Sequence, residues 1–221
     1  TLEANPGTVE RHFIREYAEA GVNRISLGIQ SFNDAHLKRL GRIHTAHEAS
    51  QAIETVATHF ENFNLDIIYG LPEQSISQAL ADITQVLSFN STHLSAYNLT
   101  IEPNTEFAKF IPANLPNDDL CYAMQDQIIH QLSTHGFQRY ETSAYAQKTH
   151  QAQHNLNYWQ FGDYLGIGAG AHSKLSFHDK IIRQSRHKHP QEYMKRILNQ
   201  QQILENTVIQ KSDLSLEFMM N

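Results

Sequence analysis

Cysteine is nearly absent: Cys121 stands alone among 221 residues. A single thiol cannot close an internal disulfide, which fits a reducing compartment. Long apolar runs are missing as well. Nothing approaches the roughly 18 consecutive apolar residues of a membrane-spanning helix, and no signal-peptide pattern is visible. Positive charge is not in excess, with 17 Lys and Arg against 23 Asp and Glu and a net charge of −6. No global basic field draws the chain to nucleic acid. A cytoplasmic location without a transmembrane segment is the expectation. The composition that remains, 40% hydrophobic and 18% charged, is that of a globular protein with one good core and room for a small second lobe. The 14 histidines are spread without a metal-binding spacing such as H-E-x-x-H, so most are expected on the surface.

The first hundred residues alternate strand and helix. Thr8 can cap a helix running to about Ala20, which Gly21 closes. A strand over Arg24–Ile29 follows, then a short helix around Asp34–Leu40. Thr45-Ala-His-Glu48 reads as a capping box opening a helix to about His59, with Ala49, Ile53 and Val56 on one face. A strand over Leu65–Tyr69, a helix around Ser77–Leu87 and a strand over Leu94–Leu99 complete the series. The strands read as continuous apolar runs, as expected of parallel strands covered on both faces. Periodicity alone leaves a barrel and a doubly wound sheet equally open. After Pro103 the character changes. Pro112 and Pro116 bracket a linker, and Asn117 caps a helix carrying Leu120, Met124, Ile128 and Leu132 on one stripe up to Gly136. Phe137–Tyr145 and Tyr164–Lys174 read as strands with a Gln- and His-rich loop between them. His189–Leu198 reads as a helix, and Glu217–Asn221 as the first turns of another.

Several apolar runs end abruptly in a polar residue and a turn. Glu3 precedes Pro6-Gly7, Gln30 ends Arg24-Ile-Ser-Leu-Gly-Ile-Gln30, and Asp66 lies in Asn64-Leu-Asp-Ile-Ile-Tyr-Gly-Leu-Pro72. Ligands of α/β folds collect at the C-terminal ends of parallel strands, so three polar groups at such ends suggest a small polar ligand. Asp66 is the sharpest case, because an aspartate among Leu65, Ile67 and Ile68 either has a partner or faces a polar space. Arg42, in Leu40-Gly-Arg-Ile-His44, offers a guanidinium that can fork onto a carboxylate. For each of these a structural alternative stands beside the functional one. Glu3 can serve a helix N-terminus, Gln30 can satisfy loop backbone, and Arg42 can form a surface ion pair.

The motifs Glu3-Ala-Asn-Pro-Gly-Thr8, Arg24-Ile-Ser-Leu-Gly-Ile-Gln-Ser-Phe32, Leu40-Gly-Arg-Ile-His44 and Leu65-Asp-Ile-Ile-Tyr-Gly-Leu-Pro72 resemble the radical S-adenosylmethionine (SAM) branch of oxygen-independent coproporphyrinogen III oxidase. Leu94-Ser-Ala-Tyr-Asn-Leu-Thr-Ile-Glu-Pro103 and His154-Asn-Leu-Asn-Tyr-Trp159 look more like the oxidase-like haem chaperones of that branch. The resemblance covers almost the whole chain in order. It implies an α/β fold: the C-terminal part of an incomplete (β/α)6 radical SAM barrel, strands three to six over residues 1–105, followed by a smaller α+β region over 106–221. It implies SAM contacts from Glu3, Gln30, Arg42, Asp66 and Thr100, the last through backbone. It also makes His154, Tyr158, Trp159 and His172 candidates for haem or substrate, since imidazole ligates haem iron and aromatic faces stack on porphyrin. The alternative is that His154 and Asn155 fix a loop while Trp159 fills a core gap.

The same resemblance implies a 4Fe–4S cluster, which the family holds in a C-x3-C-x2-C loop. That loop is missing, and Cys121 is expected to be a small buried hydrophobe. The simplest account is a fragment without its first two β/α units, inactive by itself in SAM cleavage. Two functions follow from the resemblance. One is a chaperone that binds haem and SAM and delivers haem to an acceptor protein. The other is the oxidase, which decarboxylates two propionates of its tetrapyrrole. A third reading is a β/α binding module without radical chemistry. The run Leu165-Gly-Ile-Gly-Ala-Gly-Ala-His172 looks superficially like a dinucleotide fingerprint, but a strand rather than a helix is expected after it. Close backbone packing near an active-site mouth is the better reading.

Overall fold

The computed structural model describes every residue except Val9, Glu10, Gln202, Met220 and Asn221, and for Thr8, Arg11 and His12 the backbone alone. The expected Thr8 cap therefore lies outside the described side chains. Two compact units are present, Thr1–Gln151 and Ala152–Asn221.

The first unit is built on a six-stranded sheet. Strands β1 (Leu2–Ala4), β2 (Ile25–Gln30), β3 (Phe63–Tyr69) and β4 (His93–Asn98) run parallel in sequence order. An order without reversal is that of a barrel wall, whereas a doubly wound sheet reverses at its switch point. Helices α1 (Arg11–Glu19), α2 (Asp34–Arg39), α3 (Ala46–His59) and α4 (Ile76–Ser88) fill the crossovers. Their starts follow local chemistry. Thr45 with Glu48 and Ser75 with Gln78 form reciprocal capping boxes for α3 and α4. A short helix α5 (Glu106–Lys109) leads to α6 (Asp118–Thr134), capped by Asn117.

The core lies on one face of the sheet. Ile25, Leu27, Ile29, Leu65, Ile67, Leu94 and Ala96 pack there against Ile14, Ile53 and Val56 from α1 and α3, Ile83 and Val86 from α4, and Met124, Ile128 and Leu132 from α6. Each large side chain so buried contributes about 1.5–3 kcal/mol. Successive strand residues alternate between faces, so Ser26, Gly28, Asn64, Asp66, His93 and Ser95 all fall on the opposite one. The expectation of uniformly apolar strands is thus corrected. The covered face is apolar, and its reverse is a polar surface of buried groups bonded to one another.

Residues after 105 do not separate from this sheet. A tight hairpin splits the single strand expected over 137–145 into β5 (Gln138–Arg139) and β6 (Ala144–Ala146), and β6 pairs antiparallel with β4. The division into compact units falls after Gln151.

The second unit opens with α7 (Gln153–Trp159), where a loop was expected, because a repeating 152→156→160 backbone pattern closes a helix. The expected strand over 164–174 shrinks to an isolated bridge between Tyr164 and Lys174 and to β7 (His172–Ser176). Glycines at 166, 168 and 170 keep the intervening chain out of a ladder. Strand β7 pairs with β8 (Ile181–Arg186), and β8 with β9 (Ile203–Val208), all antiparallel. Helix α8 (Pro190–Ile197) links the last two strands, and α9 (Leu214–Met219) ends the described chain. The Lys174 ammonium is buried but fully bonded, donating to Phe161 O at 2.7 Å, Asp163 Oδ1 at 3.0 Å and Ser176 Oγ at 3.2 Å. It also sits 3.7 Å above the Phe161 ring.

Candidate functional site

A cavity of about 350 Å³ lies at the C-terminal ends of the first strands, lined by Glu3, Ala4, Asn5, Ser26, Gly28, Gln30, Arg42 and Asp66. Four of the five residues expected to touch SAM therefore share one space. Thr100 does not line it. Thr100 borders a separate cavity of about 530 Å³ with Lys38, Arg39, Gly41, Glu102, Thr105 and Phe107.

Gln30 reaches the cavity through an unusual backbone. Its φ is 71°, and Ser31 N donates to Ile29 O at 2.9 Å, which makes Gln30 the centre of a γ-turn of the rare positive-φ kind. The strand register also shifts between Gly28 and Gln30. Such a conformation costs on the order of 1–3 kcal/mol and persists only where the surroundings impose it. Two buried side chains impose it here. His44 Nε2 lies 3.1 Å from Ile29 O, and Asp82, on α4, accepts from Ser31 Oγ at 2.8 Å and from Phe32 N at 2.7 Å. Burial pushes the Asp82 carboxyl up to about 6, against the opposing pull of those two donors.

The sign of the resulting pH dependence follows directly. A folded state that holds this proton more tightly than the unfolded chain loses stability as pH rises from about 4 to about 6. The Asp82 contribution is roughly 2–3 kcal/mol over that window. Urea midpoints measured between pH 4 and 7 are expected to show this slope, and Asp82→Asn to flatten it. Parallel profiles for the two proteins would show that Asp82 titrates normally.

Arg42 is delivered by the end of α2. Gly41 adopts φ 68°, Gly41 N donates to Lys38 O at 3.0 Å, and Arg42 N donates to Leu37 O at 2.9 Å. These two bonds form a Schellman turn that needs glycine at its left-handed position.

Asp66 is held by two neighbouring side chains of the sheet. Ser26 Oγ donates to its Oδ2 at 3.1 Å and Asn64 Nδ2 to its Oδ1 at 2.7 Å. Burial raises its proton affinity, the donors Asn64 and Ser26 lower it, and the nearby Glu3 carboxylate raises it again. Gly28 keeps the floor open: a Cβ there would lie 2.7 Å from Gln30 Nε2 and 3.0 Å from Asn5 Oδ1. Two carboxylates accept from an ammonium or from hydroxyls, the guanidinium pairs with a carboxylate, and the amide does either. That set matches a zwitterionic amino-acid group attached to a ribose.

Sequence reasoning passed over Asn5, Ser26, Asn64, Ser95 and Asp82. The first lies inside a motif already noted, and the next three alternate with the apolar strand positions. Nothing in the local pattern around Asp82 marks it.

In the second unit, His154, Tyr158 and Trp159 lie on α7, with His154 and Tyr158 one turn apart. All three are exposed, and the Tyr158 ring meets Tyr164 edge-on at 4.7 Å. Trp159 is 51% exposed, so it does not fill a core gap. His172 opens β7 and is exposed. On α7 an exposed imidazole one turn from Tyr158 fits an axial ligand and a stacking face for haem. A 4Fe–4S cluster does not fit the residues present. Among the described residues no group of three or more His, Cys, Asp or Glu could hold a metal ion. Cys121 is half-buried rather than fully buried as expected, with Sγ 3.9 Å from Pro116 O. Among the described residues no helix is long and apolar enough to cross a membrane.

Residues 1–85 match the radical SAM superfamily. The chain is 49% identical over 224 residues to the heme chaperone HemW of Escherichia coli, across 100% of this chain and 58% of that protein. It is 49% identical to HemW of Haemophilus influenzae, covering 57% of that protein. It is also 38% identical over 179 residues to the mouse mitochondrial radical S-adenosyl methionine domain-containing protein 1, across 79% of this chain and 40% of that one. The chain thus spans little more than half the length of the first two relatives. Among solved structures, coproporphyrinogen III oxidase (HemN) from Escherichia coli superposes with a TM-score of 0.81 at 20% identity, over 99% of this chain and 53% of that one. That likeness is one of fold. Residues 1–85 thus carry the radical SAM pattern, and over its whole length the chain is similar to part of the heme chaperones HemW.

Proposed function

We propose that the polypeptide to which this chain belongs binds SAM and haem and delivers haem to an acceptor protein. The observation that carries the SAM part is the convergence of Glu3, Gln30, Arg42 and Asp66 on one cavity. In this reading Arg42 takes the methionyl carboxylate, while Glu3, Asp66 and Gln30 serve the ammonium group and the ribose hydroxyls. SAM, when bound, supplies a cleavable sulfonium centre, and these residues seat it. Thr100, at the separate cavity, is not part of this seat. Residues 1–105 are the SAM-seating part and 106–221 the extension that serves haem. Support for the haem part comes from the name of the relatives and from the exposed His154, Tyr158, Trp159 and His172.

The test is a haem titration of the full-length protein, following the Soret band. A saturable one-to-one spectrum that His154→Ala weakens by about tenfold or more, the scale of a lost ligand contact, is the expected result. Binding unaffected by His154→Ala and by His172→Ala would remove both histidines as ligands. Turnover of coproporphyrinogen III would replace the chaperone with the oxidase.

A further inference from the structure

The reverse face of the sheet carries a continuous line of side-chain hydrogen bonds that ends on Asp66. Tyr140, in the β5–β6 hairpin, lies with its hydroxyl 2.7 Å from His93 Nε2. His93 Nδ1 lies 2.6 Å from Asn64 Oδ1. Asn64 Nδ2 then donates to Asp66 Oδ1 at 2.7 Å and to Ser26 Oγ at 2.7 Å. His93 is 1% exposed and Asn64 2%.

The direction of the bonds from Asp66 as far as His93 Nδ1 follows from the carboxylate. An ionised carboxylate only accepts, so the Asn64 amide must present its NH2 to Asp66 and its oxygen to the other side. That oxygen receives Ser95 Oγ at 3.2 Å and His93 Nδ1, so the His93 proton sits on Nδ1. Nε2, at the other end of the ring, meets the Tyr140 hydroxyl. The rings meet edge-on, 5.6 Å apart at 73°. Each member has its orientation imposed by the next. Without His93 the Asn64 oxygen keeps the longer bond from Ser95 Oγ, and the amide is held less firmly beside the carboxylate.

We infer that His93, backed by Tyr140, is a positioning residue for the ligand pocket: it locks the Asn64 amide so that Asp66 is held ionised and aimed into the cavity. The inference rests on the reading of that cavity as a SAM site. The charged and titratable groups that act on Asp66 are Glu3 from β1, Arg24 at the start of β2, and Tyr97 from β4. None of them donates the hydrogen bond that the Asn64 amide supplies. In a buried site an acceptor deprived of a donor holds its proton more tightly, so the loss of His93 carries over to Asp66.

The test uses the full-length protein with SAM as the probe, by calorimetric titration from pH 5.5 to 8.5, together with the Asp66 carboxyl titration followed by carbon-detected NMR without ligand. His93→Phe is expected to move the Asp66 titration upward and to weaken SAM binding by about tenfold at pH 7, the scale of one charge-assisted hydrogen bond. The loss should shrink as pH rises. His93→Asn, which returns a donor near the Nδ1 position, recovers most of the affinity. Tyr140→Phe, which deletes one hydroxyl, shifts both readouts in the same direction by less. In an Asp66→Asn background His93→Phe should have no further effect, because the two act through one group. An Asp66 titration unchanged in His93→Phe, or additive losses in the double variant, would overturn the inference while leaving the SAM site intact. An Asp66 titration that moves while SAM binding ignores even Asp66→Asn would overturn the SAM reading and leave the hydrogen-bond coupling established.

Discussion

Gly28→Val is expected to abolish SAM binding at micromolar concentrations while leaving the fold in place. Gly28 is buried in β2, and its backbone has no need of glycine. A β-branched residue favours an extended strand over glycine there. What valine changes is the cavity floor. Its Cβ falls 2.7 Å from Gln30 Nε2 and 3.0 Å from Asn5 Oδ1, and two further methyl groups follow it into the space. Both contacts are the far ends of flexible side chains, so they swing aside and the sheet persists. The amide that faces the ligand is displaced and the volume meant for it is filled. A loss of at least about 100-fold, or about 2.7 kcal/mol, is the scale for blocking a binding pocket. Calorimetric titration with SAM alongside a thermal melt checks it. Unchanged affinity in a folded Gly28→Val protein would mean that the ligand binds elsewhere.

The second large effect lies in the other unit. An added Cβ at Gly166 would sit 2.0 Å from the carbonyl oxygen of His172 and 2.7 Å from its carbonyl carbon. These are backbone atoms at the start of β7, where His172 pairs with Ser185 of β8. No rotamer change relieves the clash. The bridge that brings the two segments together, Tyr164 N to Lys174 O and Lys174 N to Tyr164 O, each at 3.0 Å, would have to open. Opening it frees the buried Lys174 ammonium from a site built around it, and a charge left without partners costs several kcal/mol. Gly166→Ala is therefore expected to destabilise the second unit by more than about 4 kcal/mol, in the rare tail of single substitutions. Hydrogen exchange resolves the effect by segment. The amides of 172–186 should lose protection and those of 63–69 should keep it. Native-like protection in β7 would show that the loop has another way to pass.

How much of this was legible in the sequence depended on whether a signal was local. The capping box at Thr45 is short-range chemistry, and the helices over 34–39, 46–59 and 76–88 fall close to their expected limits. Gln30 and Asp66 were visible as polar interruptions of apolar runs. The reverse face of the sheet was misread because Ser26, Asn64, His93 and Ser95 are small or ambivalent residues, and they blur into the apolar run that alternates with them. Their meaning comes from pairing across strands, such as Asn64 beside both Ser26 and His93, which one strand cannot announce. Asp82 was hidden for the same reason, since its partners lie 50 and 51 positions away. The second unit was the least legible. Short antiparallel strands such as β8 and β9 carry mixed composition, and the glycine run before β7 breaks any period.

The γ-turn at Gln30 has a consequence for how a ligand is met. The strain it stores is borne during folding, when Asp82 and His44 close on either side of it. The amide then waits in its working orientation, and a ligand that accepts it has no conformational entropy to extract at that position. A glycine in place of Gln30 would relax the turn and gain stability, but would leave the cavity without its amide. The chain is less stable than it could be at the strand end where, in the proposed reading, Gln30 faces the ligand, a local trade of durability for readiness.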